Sequence, residues 1–155
     1  MITRQEVLEV QKNWGNAIVK IGKSKTVRTD CESATEFILA ELYAFDEGKV
    51  LFKPTKASEL QFRPLKELAK SYFIGGNVRF PEDHGFALHP WVNVRFENHD
   101  MILEENRAIA MGNYYFTDLN GVETKVEYTF GYLRNSRGKL KIDVHHSSLP
   151  YEPEK

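Results

Sequence analysis

The chain has 155 residues, 41% of them hydrophobic and 12% aromatic, enough for one domain with a substantial core. Its 21 basic and 22 acidic side chains nearly cancel, which argues against a nucleic-acid stripe or an anionic-membrane patch. The first residues lack a secretory pattern, no apolar run is long enough for a bilayer, and a single cysteine excludes an intrachain disulfide, so the expectation is a cytoplasmic protein with a reduced thiol.

Thr3 with Glu6 three residues on has capping-box spacing. Val7, Val10, Trp14, Ala17, Ile18 and Ile21 then recur at helical intervals up to Gly22-Lys23. A second helix is expected from about Asp30 to Phe45, its apolar stripe made by Ala34, Phe37, Ile38, Leu42 and Tyr43. Cys31 falls on it as a half-buried helix residue rather than a nucleophile. Val50 to Lys53 reads as a short strand that breaks at Pro54, with Thr55 directly after the break. Pro64 suits the first turn of a third helix running through Leu65, Leu68, Ala69 and Tyr72 to Gly75-Gly76.

Residues 77–90 look irregular, and everything after them is strand-rich. Strands are expected over 91–96, 101–118, 122–135 and 139–149, with turns at Asn98-His99-Asp100, Asn120-Gly121 and Asn135 to Gly138. Helices first and a meander of long antiparallel strands after them predict one α+β domain over 1–155. The order resembles the NTF2-like (cystatin-like) fold, a cone in which a curved antiparallel sheet wraps N-terminal helices and leaves a cavity.

The last strand ends in His145, His146, Ser147 and Ser148. Neighbours on a strand face opposite ways. Parity with Leu140, Ile142 and Val144 puts His146 and Ser148 inward, and puts Asp143, His145 and Ser147 outward. Five histidines invite a metal, but they lack His-x-His or His-x-x-x-His spacing, and adjacent strand histidines diverge. A Ser/His acyl-transfer pair is also poorly supported, since no Gly-x-Ser-x-Gly elbow is present. Three hydroxyls remain: Thr55 after the broken strand, Tyr72 on the third helix, and a terminal-strand serine. Taken singly, Thr55 also fits a turn cap, Tyr72 a core phenol, and the serines backbone partners.

Lys-Leu-Lys-Ile-Asp-Val-His-His-Ser-Ser-Leu-Pro at 139–150 resembles the His-His-Ser-Ser-x-Pro signature of the iota-class carbonic anhydrases. These are relatives of the calcium/calmodulin-dependent kinase II association domain. Val-Leu-Phe-Lys-Pro-Thr-Lys-Ala at 50–57 and Gly-Asn-Tyr-Tyr-Phe-Thr-Asp at 112–118 carry the same resemblance. It implies reversible hydration of CO2 to bicarbonate without a required cofactor, zinc or manganese being left open as an assisting ion. It also implies a pocket made by Thr55, Tyr72 and either Ser147 or Ser148. Parity selects Ser148, whereas a bulge would turn Ser147 inward.

Water, with a pKa of about 15.7, is a poor nucleophile that zinc would bring to about 7. Without metal the hydroxyls must orient one water and donate to the nascent carboxylate, each contact supplying roughly 2–4 kcal/mol. His146 or bulk water would take the proton. The competing reading is a non-catalytic association module. Under either reading a homodimer is expected through the outer sheet face, with Trp91, Val94, Tyr115 or Leu133 on it. An isomerase or dehydratase of this fold usually places an Asp-His or Asp-Tyr pair inside the cone, and the outward parity of Asp143 argues against it.

Overall fold

The capping box at Thr3 forms: Thr3 Oγ1 accepts from Glu6 N (3.2 Å) while Thr3 N donates to Glu6 Oε2 (2.8 Å). From it α1 (Arg4–Lys23) runs through a buried stripe of Val7, Val10, Trp14, Ile18 and Ile21. Glu6 also holds Arg134 (2.9 Å), and that pairing together with the cap lowers its carboxyl pKa to about 2. A computed structural model of the chain describes residues 1–154.

The remaining elements are α2 (Arg28–Glu41), β1 (Leu51–Lys53), α3 (Lys66–Ile74), a 3-10 turn (Phe86–Leu88), β2 (Asn93–Leu103), β3 (Arg107–Thr117), β4 (Glu123–Arg134) and β5 (Leu140–Ser148). They form an α+β arrangement in which the sheet has the order β1-β5-β4-β3-β2. β1 is parallel to β5, and the other pairings are antiparallel. The inner sheet face joins α1 in one aromatic-rich core, where Trp14 packs on Phe96, Tyr114, Phe116 and Phe130.

Several expectations need correction. The second helix stops at Glu41 rather than Phe45, because the next residues pair with β5 instead. Ile142 N donates to Leu42 O and Ala44 N to Ile142 O, both at 2.8 Å. That extended step drives the Tyr43 ring into the core, where it is fully buried. Pro64 lies just ahead of Leu65, the N-cap of α3, and Gly75 closes that helix at φ +56°.

The expected turn at Asn98-His99-Asp100 is a β-bulge within β2. Its cause is on the neighbouring strand. A Cβ on Gly112 would lie 2.2 Å from Glu97 O and 2.7 Å from His99 N, so the bulged backbone closes onto a residue without a side chain. The chain reverses instead after Leu103, where Glu104 N donates to Arg107 O (2.9 Å).

A second bulge decides the parity of β5. Gly131 pairs with Val144 but Tyr132 pairs with Ile142, leaving Asp143 as the extra residue. Here too the partner is a glycine: a Cβ on Gly131 would meet Val144 Cβ at 2.8 Å. Leu140 and Ile142 face inward before the bulge, and His145 and Ser147 after it. His146 is exposed and Ser148 half-buried, the reverse of simple alternation. Asp143 does stay outside the cone, held by Arg107 at 2.7 Å.

Two residues expected on the outer face are not there. Trp91 is buried with its indole donating to Phe86 O (3.0 Å), and Val94 packs under Gly15 of α1. Tyr115 is half-buried beneath Arg95, whose guanidinium sits 3.9 Å from the ring centre. Leu133 is half-buried against the core.

Candidate active site

The β5 bulge delivers His145 and Ser147 into the cone, and β1 delivers Thr55. Because β1 runs parallel to β5 with Phe52 opposite His145, the residue after the Pro54 break arrives beside Ser147. Thr55 Oγ1 lies 2.6 Å from Ser147 Oγ, and Lys53 Nζ donates to Ser147 O (3.0 Å) on the same strand pair. Tyr114, from the inner face of β3, brings its hydroxyl to 2.5 Å from Ser147 Oγ and 3.1 Å from His145 Nε2. On the other side of the imidazole, Tyr43 OH is 2.8 Å from Nδ1, and Trp14 Nε1 donates to Tyr43 OH (3.0 Å). Trp14, Tyr43, His145, Tyr114, Ser147 and Thr55 therefore form one hydrogen-bonded line from α1 to the β1 end.

Tyr72 of α3 completes the group. Its hydroxyl accepts from Lys56 N (3.2 Å), next to Thr55. The loop that carries Thr55 is pinned from behind. Arg63 and Asp83 form a bidentate pair at 2.8 Å with both side chains fully buried, and Ser71 donates to Asp83. Glu82 accepts from Ser58 N (2.8 Å) and Leu60 N (2.7 Å).

These side chains enclose a small cavity of about 10 Å³, lined by Thr55, Tyr72, Tyr114, His145 and Ser147 together with Trp14, Phe52, Pro54, Phe73 and Phe86. That is roughly the space of one water centre. Apart from Pro54 and the two small hydroxyl residues, its walls are aromatic rings. A larger cavity of about 470 Å³ lies outside it and shares Tyr72 and Phe86. Those two rings are stacked at 5.6 Å and form the partition between the two spaces.

The cavity is electrically neutral. Burial pushes the phenols of Tyr43, Tyr72 and Tyr114 well up, so they stay protonated as donors at neutral pH. Burial, aided by the nearby His146, pulls His145 well below the ordinary imidazole range. Its ring lies parallel to Phe52 at 4.7 Å and meets the edge of Phe130 at 4.3 Å. Among the described residues no carboxylate or ammonium lines the cavity. Such a site can hold a small apolar molecule, orient a water and donate to an oxygen that gains negative charge. It offers no activated nucleophile, because Ser147 reaches His145 only through Tyr114.

The structure thus gathers Thr55, Tyr72 and Ser147. It leaves Ser148 on the outer side of β5 and His146 in solvent. Among the described residues no three His, Cys, Asp or Glu side chains converge on a metal position. Sequence reasoning missed Trp14, Tyr43, Tyr114 and His145. Tyr114 stood within the resembling stretch 112–118 but carried no assigned role. Trp14 and Tyr43 were absorbed into helix stripes, and His145 was turned outward by parity.

Residues 5–149 match the family model described as metal-independent carbonic anhydrase. A metal-independent carbonic anhydrase of Nostoc sp. (strain PCC 7120) is 42% identical over 154 residues, which is 97% of this chain and 75% of that protein. The crystal structure of an iota-carbonic anhydrase from a cyanobacterium, complexed with bicarbonate, matches with a TM-score of 0.94 at 41% identity, covering 98% of this chain and 94% of that one. A putative calcium/calmodulin-dependent protein kinase II association domain from Xanthomonas campestris matches at TM-score 0.63 and 24% identity, over 99% of this chain and 91% of that one. An NTF2-like superfamily protein from Salmonella enterica matches at 0.56 and 14%, over 97% and 92%. These last two likenesses show the NTF2-like fold alone.

Proposed function

We propose that this chain, which belongs to the metal-independent carbonic anhydrase family, performs its reaction on the hydroxyl face made by Thr55, Tyr72 and Ser147. The reaction is the reversible hydration of CO2 to bicarbonate. The observation that carries the site is the contact of Thr55 Oγ1 and Ser147 Oγ at 2.6 Å, on the wall of an aromatic cavity that Tyr72 also lines.

CO2 is small and apolar, so it is held by packing against Phe52, Phe73 and Phe86 rather than by specific contacts. The cavity admits one water-sized molecule, so a wall has to shift to seat the second, and the Tyr72–Phe86 pair is the wall shared with the outer cavity. The water oxygen forms a bond to carbon while one C=O electron pair moves onto its oxygen. Thr55 and Tyr72 donate hydrogen bonds to that oxygen as its charge grows, the kind of contact worth about 3–4 kcal/mol in oxyanion sites. The water releases its proton to solvent through the outer cavity. His145 is unsuited to take it, being held neutral by burial, and His146 points away on the opposite face of β5. The bicarbonate bound by a relative of 41% identity supports the same product here.

The decisive experiment is stopped-flow CO2 hydration by protein treated exhaustively with a chelator. Full activity after treatment supports the hydroxyl mechanism. Activity lost on chelation and restored by zinc or manganese would overturn it.

The proposal includes a homodimer joined through the outer sheet face, where Ile102 and Ile109 stand opposite each other and exposed, with Met111 alongside. Light scattering should give twice the chain mass, and Ile109→Glu should halve it. We also place the protein in the cytoplasm, a setting supported by its buried free Cys31. Fractionation that finds it in an oxidising compartment would remove that part.

A further inference from the structure

We propose that Trp14 and Tyr43 are positioning residues that fix the direction of the hydroxyl line, so that Thr55 presents a hydrogen rather than a lone pair to the substrate. The inference rests on the carbonic anhydrase reading of the site, and it follows from counting hydrogens along the line.

An indole N–H can only donate. Trp14 therefore gives its hydrogen to Tyr43 OH, 3.0 Å away. Tyr43 is wholly buried, so its own hydrogen needs an acceptor, and the acceptor within reach is His145 Nδ1 at 2.8 Å. Nδ1 accepts and so carries no hydrogen. In a neutral imidazole the hydrogen is then on Nε2, which faces Tyr114 OH at 3.1 Å. Tyr114 accepts from Nε2 and donates to Ser147 Oγ. Ser147 in turn donates to Thr55 Oγ1. Each oxygen accepts once and donates once, and the hydrogen left over is that of Thr55, on the cavity wall.

The opposite direction fails at its inner end. A hydrogen on Nδ1 would meet the oxygen that Trp14 already serves, and the Tyr43 hydrogen would be buried without a partner. Nε2 would become an acceptor and draw the Tyr114 hydrogen back. Ser147 would then donate to Tyr114 and Thr55 to Ser147, leaving Thr55 lone pairs against an anionic product. A side chain on α1, two hydrogen bonds from the imidazole, thus sets the polarity of the group that meets bicarbonate.

The test reads the His145 tautomer in the substrate-free protein, by two-bond 1H–15N correlation of histidine-labelled samples. The wild type should show hydrogen on Nε2 and none on Nδ1. Trp14→Phe keeps the ring and removes the donor. It should yield a mixture of tautomers, with kcat for CO2 hydration down about tenfold and KM for apolar CO2 nearly unchanged. Hydrogen on Nδ1 in the wild type overturns the proposal, as does a folded Trp14→Phe protein with an unchanged tautomer. Should that variant not fold, the wild-type spectrum decides alone. The spectrum needs no turnover, so its result is independent of the chelator experiment, which tests the reaction itself.

Discussion

Gln11 on α1 and His145 on β5 each anchor a buried polar network beneath the same sheet. Gln11 Nε2 donates to Asn98 Oδ1 (2.9 Å) and lies within reach of the Tyr128 and Tyr132 hydroxyls (3.0 and 3.1 Å). Asn98 Nδ2 donates back to Gln11 Oε1 (2.8 Å), and Tyr128 donates to Asn98. The two amides serve each other, so that network closes on itself. The His145 network runs in one line and ends at Thr55 on a cavity. Both use phenols, both are buried, and both stand beside a bulge whose partner strand carries a glycine. The difference lies in the open end. A closed network specifies packing, whereas an open one leaves hydrogen-bonding capacity for a substrate.

Ser147→Ala should break the open network with the largest effect. We expect CO2 hydration to fall about 10²-fold, the low end of the range for an oxyanion-type donor, because Thr55 loses the partner that aims its hydrogen at the substrate, with the fold retained. Gln11→Leu should do the reverse. It strands two phenols and Asn98, so urea unfolding should show a loss of about 1–3 kcal/mol while kcat stays within about twofold. Equal losses of activity in the two variants would erase the distinction between the networks.

Acid separates them more gently. His145 titrates near its ordinary 6.5 when unfolded but well below that when folded. The unfolded chain therefore binds the extra proton first. Its contribution to stability is complete above 6.5 and is lost as pH falls below that value, by up to about 1.4 kcal/mol per pH unit. The Gln11 network contains no such group. Urea midpoints measured across this window should show the slope, and a flat profile would mean that His145 is charged in the fold. The smallest effect is expected from Ser148→Ala, on the outer side of β5. Its hydration rate should match the wild type, and a rate as low as that of Ser147→Ala would return the site to that face.

Local chemistry was legible in the sequence. The Thr3–Glu6 box, the stripe of α1 and the Asn120-Gly121 turn depend on residues close in the chain, and each appears in the structure. What was hidden depends on distant partners. Asn98-His99-Asp100 has turn composition, but Gly112 on the next strand makes it a bulge. The parity of β5 is set by Gly131, and the end of α2 by the backbone of Ile142. A glycine inside a strand pattern is the available signal for such bulges, and both strands carry one. The site divides the same way. Thr55, Tyr72 and the serine pair came with the resemblance. Trp14 and Tyr43 read as core because their rings are core, and only their polar tips join the line to His145.

A crystal soaked in bicarbonate tests the inward hydroxyl face most directly. The anion should lie between Thr55 Oγ1 and Tyr72 OH, with Ser147 behind Thr55 and no density at His146. Bicarbonate bound instead beside His146 and Ser148 on the outer side of β5 would contradict it.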